Sequence, residues 1–266
     1  MTSALPVLAV SRLVLWRHGR TEWNATGRFQ GQLDPPLDEV GRNQAILAAP
    51  HLVAAGLLPE ETVVVSSDLS RAAETAATLT ALLGVPLRLD ARLREHGMGV
   101  WEGLTREEVG ERYPDQLADW MAGRPVRGRG GEDPADVAER AVAARADLPP
   151  ARVAVVVTHG GTAGRLVERL LGIGPDHRRL LGPLGNCAWS ELAFQGERWR
   201  LLRHNSSVLH LPAAAAEGSQ PAALRAVPDL PDDEAPAEDA ASVIGAASSA
   251  GASSSGRSGT ARSAAG

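Results

Sequence analysis

The chain has 266 residues with 27 basic and 32 acidic side chains, a formal net charge of −5, and a single cysteine, Cys187. One cysteine excludes an intrachain disulfide, which suits a reducing compartment. Residues 213–266 hold seven acidic and three basic residues, so the first 212 are nearly neutral and lack the dense basic face that a nucleic-acid partner requires.

In chain order, Ala4 to Val10 is apolar but holds Pro6 and has no basic flank before it. It is too short to span a membrane and does not have the shape of a signal peptide, so the expectation is a cytoplasmic protein without a membrane partner. Leu13 to Trp16, Thr62 to Val65 and Val153 to Val157 are short, continuously apolar runs, the pattern of strands buried on both faces. Val85 to Leu89 alternates and reads as a further strand. Glu39 to Ala55, Arg71 to Leu83 and Pro134 to Ala146 have helical length and spacing, the last with Asp133 as N-cap and proline at the first helical position. Arg124 to Gly131 reads as a loop near the site. Gly160 to Leu171 opens as a helix directly after a strand. Ala188 to Phe194 and Arg198 to Arg203, joined by Gln195-Gly196-Glu197, read as a hairpin. Strand–helix alternation predicts an α/β domain, a three-layer α/β/α sandwich with a mostly parallel central sheet, over residues 1–212. After Pro212 the composition is mainly Ala, Ser, Gly, Pro and acidic residues, with no aromatic. Such a segment cannot bury enough apolar surface to offset its chain entropy, and a disordered tail over 213–266 is expected.

In open α/β sheets ligands bind beyond the carboxyl ends of the strands. Three polar sets follow predicted strands: Arg17-His18, Ser66 to Arg71, and Thr158-His159. Glu95 follows Leu87 to Ala91. Each has an ordinary reading alone. His18 ends a strand, His159 sits in a turn with two glycines, Arg71 starts a helix, and Glu95 stands between Arg94 and His96 as if in a surface ion pair. A cation at Arg71 opposes the helix dipole, a cost that an adjacent anion removes. One anion site explains all four together. All 27 basic residues are arginine, so each basic side chain there meets its anion as a planar guanidinium fork. The seven histidines show no HxxxH or HExxH pairing and one cysteine builds no thiolate site, so neither metal nor other cofactor is expected. No GxxxxGK[ST] loop and no GxSxG elbow occurs.

Five ordered segments carry a resemblance. They are Leu15-Trp16-Arg17-His18-Gly19-Arg20-Thr21-Glu22-Trp23-Asn24, Gln30-Gly31-Gln32-Leu33-Asp34, Ser66-Ser67-Asp68-Leu69-Ser70-Arg71, Leu93-Arg94-Glu95 with Gly99-Val100-Trp101-Glu102-Gly103, and Thr158-His159-Gly160-Gly161. Over residues 12 to 210 the chain resembles the histidine phosphatase superfamily, the phosphoglycerate mutase-like enzymes. The resemblance implies that His18 attacks phosphorus and carries it as a phosphohistidine, its other ring nitrogen donating to a backbone carbonyl. It implies that Arg17, Arg71 and His159 surround the phosphoryl oxygens and that Asn24 donates a neutral hydrogen bond. Arg20, Thr21, Gln30, Gly31 and Gly160 are further expected substrate contacts. Glu95 is implied as the acid and base, with Glu102 as the alternative. A homodimer is compatible with the family.

Only 63 positions separate Glu95 from His159, without the long insertion of the family's mutases. Hydrolysis of a small phosphorylated metabolite is therefore favoured over a mutase-type phosphotransferase or an idle phospholigand-binding protein. Within the superfamily, Leu33-Asp34, Gly130-Gly131-Glu132, Leu184-Gly185-Asn186-Cys187-Ala188-Trp189 and Arg198-Trp199-Arg200-Leu201 are similar to the actinobacterial glucosyl-3-phosphoglycerate phosphatases. That substrate carries a carboxylate, for which Arg20, Arg129 and His204 are the candidate partners. Arg129 stands where the subfamily usually has a histidine.

Overall fold

The computed structural model describes residues 10–174, 177 and 180–208. The expected tail over 213–266 lies outside these residues. Thirteen helices and strands are named here: β1 (Arg12–Arg17), α1 (Glu22–Ala25), α2 (Glu39–Ala54), β2 (Thr62–Ser66), α3 (Ser70–Leu83), β3 (Leu87–Leu89), α4 (Arg106–Arg112), α5 (Pro114–Met121), α6 (Pro134–Ala146), β4 (Val153–Thr158), α7 (Gly160–Leu171), β5 (Trp189–Gln195) and β6 (Arg198–Ser206).

Among the described residues the strands form one sheet in the order β3-β2-β4-β1-β5-β6. β1, β2, β3 and β4 run parallel, and β5 is antiparallel to both β1 and β6. One strand of six is thus reversed, which makes the sheet mostly parallel as expected. The reversal follows from the connection: Gln195-Gly196-Glu197 is too short for a crossover and allows only a hairpin. Gly196 and Glu197 both have positive φ there.

The continuous apolar runs serve two faces. Val14 and Trp16 of β1, with Val153, Val155 and Val157 of β4, pack against Ala45, Ala48, Ala49 and Leu52 of α2 and Ala72, Ala76, Leu79 and Leu83 of α3. The alternate residues Leu13, Leu15, Ala154 and Val156 pack against Ala141 and Ala144 of α6 and Leu166 and Val167 of α7. Two helices on each face give the α/β/α sandwich. Each fully buried Leu in these layers contributes about 1.5–3 kcal/mol. A third, smaller cluster forms around Trp101, with Met98, Val109, Phe29, Leu104, Tyr113 and Leu117. It carries α4 and α5, which the apolar periodicity did not reveal.

No helix among the described residues is long and apolar enough to cross a membrane.

Candidate active site

Adjacent strands β2, β4 and β1 end together, and their carboxyl ends build the site. Past β1, the His18 N–H extends the ladder to the Thr158 carbonyl at 3.0 Å, and the His18 carbonyl accepts from Cys187 N–H at 3.1 Å. The following turn packs against the first turn of α2. A Cβ on Gly19 would collide with the Gly41 carbonyl, and one on Gly41 with the Arg20 backbone, so two glycines permit the approach.

His18 is 2% exposed. Its Nδ1 lies 2.6 Å from the Gly19 carbonyl. A carbonyl only accepts, so Nδ1 carries the hydrogen and Nε2 keeps its lone pair. Burial, reinforced by the Arg17 and Arg71 guanidinium groups, pushes the imidazole pKa well below 6.5. The ring is neutral at pH 7. The neighbouring Cys187 is no rival nucleophile: burial raises its thiol to about 12.

Arg17 donates through one Nη to the Leu184 carbonyl at 2.5 Å. Burial lowers its pKa and Glu95 opposes that shift. Arg71, in the first turn of α3, is fully buried. Its two Nη groups donate to the Leu33 carbonyl at 2.7 Å and the Gly31 carbonyl at 3.0 Å. Its closest carboxylate, Asp34, is 3.7 Å away and also caps α3 by accepting from Ser70 N–H at 2.8 Å. Burial pushes the Arg71 guanidinium down to about 10, against support from Glu95 and Asp34.

His159 is the N-cap residue of α7 and is fully buried, its ring centroid 5.1 Å from that of His18. Its Nε2 is 2.9 Å from Ser67 Oγ. Leu69 N–H donates to that hydroxyl too; the serine oxygen keeps a second lone pair and its own hydrogen, so it accommodates either tautomer of the ring. Burial and the nearby Arg71, His18 and Arg17 hold this ring neutral as well. Nε of Arg17, Nε of Arg71 and Nδ1 of His159 are buried and without a hydrogen-bond partner in the protein. A Cβ on Gly160 would stand 3.5 Å from Arg17 Nε, an ordinary contact, which places the first turn of α7 against that guanidinium.

Glu95 forms no ion pair with the side chains that flank it. Arg94 takes Asp68 instead, at 2.6 Å, and His96 Nε2 donates to the Glu132 carbonyl at 2.7 Å. The Glu95 carboxyl lies on the N-terminus of α7, accepting from Gly161 N–H at 3.1 Å, Thr162 N–H at 3.0 Å and His96 N–H at 2.7 Å. Glu102 is anchored elsewhere, accepting from Gln32 N–H at 3.1 Å and Met98 N–H at 2.9 Å.

Thr21 and Asn24 form a capping box on the short α1. Asn24 Oδ1 accepts from Thr21 N–H, from the Thr21 hydroxyl and from Asn186 Nδ2 at 3.2 Å. With its oxygen so engaged, Asn24 is oriented to offer Nδ2 as a donor. Gln30 is buried with Oε1 unpartnered, and Gly31 contributes its carbonyl to Arg71.

All three candidate carboxylate partners already have contacts within the protein. Arg20 donates to Asp38 at 2.7 Å. On β6 the His204 ring bridges Ser190 Oγ and the Gly182 carbonyl, both at 2.8 Å, so both its nitrogens are engaged. Arg129 is 5% exposed, stacks over Trp101 at 5.3 Å, donates to the Glu132 carbonyl at 3.0 Å, and keeps Nε without a partner. The sequence names Ser67, Asn186 and Glu132 within the quoted segments but gives them no role, and it does not single out Arg140; their contacts join distant segments. Among the described residues no cluster of three or more His, Cys, Asp or Glu side chains is placed to hold a metal.

A neutral imidazole with a fixed lone pair, ringed by unpartnered cationic and neutral donors, is equipped to take and hold a phosphoryl group. The class is given by the family: the model of the histidine phosphatase superfamily (branch 1) matches residues 13–207, and the chain belongs to that superfamily and is a phosphatase enzyme. Among its relatives, the glucosyl-3-phosphoglycerate phosphatase of Mycolicibacterium vanbaalenii is 38% identical over 225 residues, 75% of this chain and 96% of that one. The probable phosphoglycerate mutase GpmB of Cronobacter sakazakii is 35% identical over 217 residues, 79% of this chain and 99% of that one. A solved mycobacterial glucosyl-3-phosphoglycerate phosphatase in complex with VO3 superimposes with a TM-score of 0.66 at 39% identity, covering 74% of this chain and 100% of that one.

Proposed function

We propose that this chain hydrolyses a small phosphorylated metabolite bearing a carboxylate, of the glucosyl-3-phosphoglycerate kind, through a phosphohistidine at His18 and without a metal. The observation that carries the reading is that Nε of Arg17, Nε of Arg71 and Nδ1 of His159 are buried without a protein partner, near a histidine whose tautomer a backbone carbonyl fixes. His18 Nε2 attacks phosphorus as the ester P–O bond breaks. Arg17, Arg71 and His159, with Asn24, bind the three phosphoryl oxygens, where charge spreads in the transition state. Glu95 gives a proton to the leaving alkoxide, then takes one from the water that opens the phosphohistidine. Glu95 is preferred to Glu102 because its carboxyl lies on the first turn of α7, directly after His159, whereas Glu102 is held by Gln32 and Met98. Arg129 meets the substrate carboxylate, since its Nε is the unspent buried donor among the three candidates.

A phosphatase screen over sugar phosphates, phosphoglycerates and glucosyl-3-phosphoglycerate, run in excess chelator, tests the reading. Turnover with preference for the acidic glycoside supports it, and turnover that disappears with chelation overturns the metal-independent chemistry. The mutase reading has the GpmB relative in its favour; transfer of labelled phosphate between phosphoglycerates faster than hydrolysis would establish it instead.

A further inference from the structure

Glu95 lies outside the named helices and strands, yet its main chain is unusually constrained. Each carbonyl from residue 92 to 95 accepts a side-chain hydrogen bond. Thr158 Oγ1 donates to Leu93 and Thr162 Oγ1 to Arg94, each at 2.7 Å. Gln32 Nε2 reaches the Glu95 carbonyl at 3.3 Å. The remaining bonds come from Arg140 of α6, which donates to the carbonyls of Arg92 and Arg94 at 2.7 Å and of Glu95 at 2.9 Å. Arg140 is in turn gripped by Glu132, Nε to Oε1 at 2.7 Å and Nη2 to Oε2 at 2.9 Å. The same Glu132 Oε2 accepts from Gly97 N–H at 2.8 Å and Gln32 Nε2 at 3.0 Å, closing the cage on the far side of Glu95.

We propose that Arg140, held in place by Glu132, is a positioning residue for Glu95. The proposal rests on the reading of Glu95 as the proton donor. In that step the proton passes from Glu95 to the leaving oxygen while the P–O bond breaks and the Nε2–P bond of His18 forms. An acid carried on a loop meets the narrow distance requirement of proton transfer only if its main chain is fixed. A bidentate fork to Glu132 combined with donors to three carbonyls is a geometry a guanidinium provides and an ammonium does not.

The test is rapid-quench formation of acid-labile phosphoenzyme from two substrates. The phenolate of 4-nitrophenyl phosphate departs without a proton, whereas the alkoxide of 3-phosphoglycerate requires one. Mispositioning of a catalytic group costs on the order of 100-fold, so the aryl-to-alkyl rate ratio should rise by about that factor in R140Q. It should rise in the same direction in E132Q, and partially in R140K, which retains charge without the fork. E95Q should raise it at least as far. Equal slowing of both substrates in R140Q and E132Q would mean that Arg140 only supports the fold, and the proposal fails even if E95Q shows the shift. An unchanged ratio in E95Q removes Glu95 as donor, and the inference falls with that assignment. The aryl ester itself reports an assembled pocket in each variant; if R140Q does not fold, E132Q and R140K decide the matter.

Discussion

Replacing Arg71 with methionine separates what the buried guanidinium costs the fold from what it contributes to the reaction. The side chain is fully buried, and burial pushes its pKa down to about 10. The folded value lies below that of the unfolded chain, so at any pH below 10 the unfolded chain holds the proton more tightly and the charge works against folding. At about 1.4 kcal/mol per pH unit this opposes the fold by about 3 kcal/mol at neutral pH. Methionine removes that opposition but strips donors from the Leu33 and Gly31 carbonyls, at about 1–3 kcal/mol each. The Leu33 carbonyl bond is only part-buried, which lessens its share of the loss. The two effects nearly cancel, and R71M should unfold in urea within about 2 kcal/mol of the parent when no anion is present. Orthovanadate should then stabilise the parent by mass action and not the variant. Phosphoenzyme formation should fall by about 100- to 1,000-fold, the loss of one preorganised donor to transition-state charge. A loss of stability well above 3 kcal/mol without anion, or equal stabilisation of both proteins by vanadate, would refute the reasoning.

H18A should form no acid-labile phospholabel after brief exposure to substrate; a label that persists removes His18 as the nucleophile. A Cβ on Gly161 would stand 2.6 Å from Glu95 Oε1, so G161A should displace the carboxyl and lower kcat on alkyl esters about tenfold or more, with inhibition by inorganic phosphate as the control that should not move. The pKa values of His18 and His159 lie well below 6.5 when folded. Their neutral forms therefore leave stability intact above the unfolded value, and stability falls as pH drops through 6.5, by up to about 1.4 kcal/mol per pH unit for each ring. Urea titrations at pH 7 and 5.5 should show a flatter dependence in the H18N/H159N double variant, and identical slopes would count against it. R129M should raise KM for phosphoglycerate about tenfold, as loss of one charge-assisted contact implies, and leave KM for glycerol phosphate near the parent value; a parallel rise would take Arg129 out of carboxylate recognition.

The strands and long helices were legible because each obeys a simple pattern. Leu13–Trp16 and Val153–Val157 are apolar without interruption, and helices sit on both faces of the sheet they form. α4 and α5 were hidden because only Val109 is buried in the first and nothing in the second. The capping box of Thr105 and Glu108 was the available signal for α4. Arg17, His18, Arg71 and His159 were readable because each closely follows a strand, so topology alone gathers them. Arg20 and His204 show the limit of that reasoning. Their chemistry suits an anion, but Asp38, Ser190 and Gly182 meet them first, and only the folded neighbourhood reveals it. Arg140 lies 45 residues from Glu95, with no local pattern to connect the two.

The bond from His18 Nδ1 to the carbonyl of Gly19 has a consequence for mutational tolerance. In many sites a histidine's reactive nitrogen is chosen by a neighbouring side chain, and one codon change erases the choice. Here the chooser is a peptide oxygen, which no change of a neighbouring side chain removes, although position 19 itself is held to glycine by the Gly41 carbonyl. The reactive face of His18 is consequently insulated from side-chain substitution around it. Selection or engineering can rebuild the surrounding walls while the nitrogen proposed to attack keeps its lone pair.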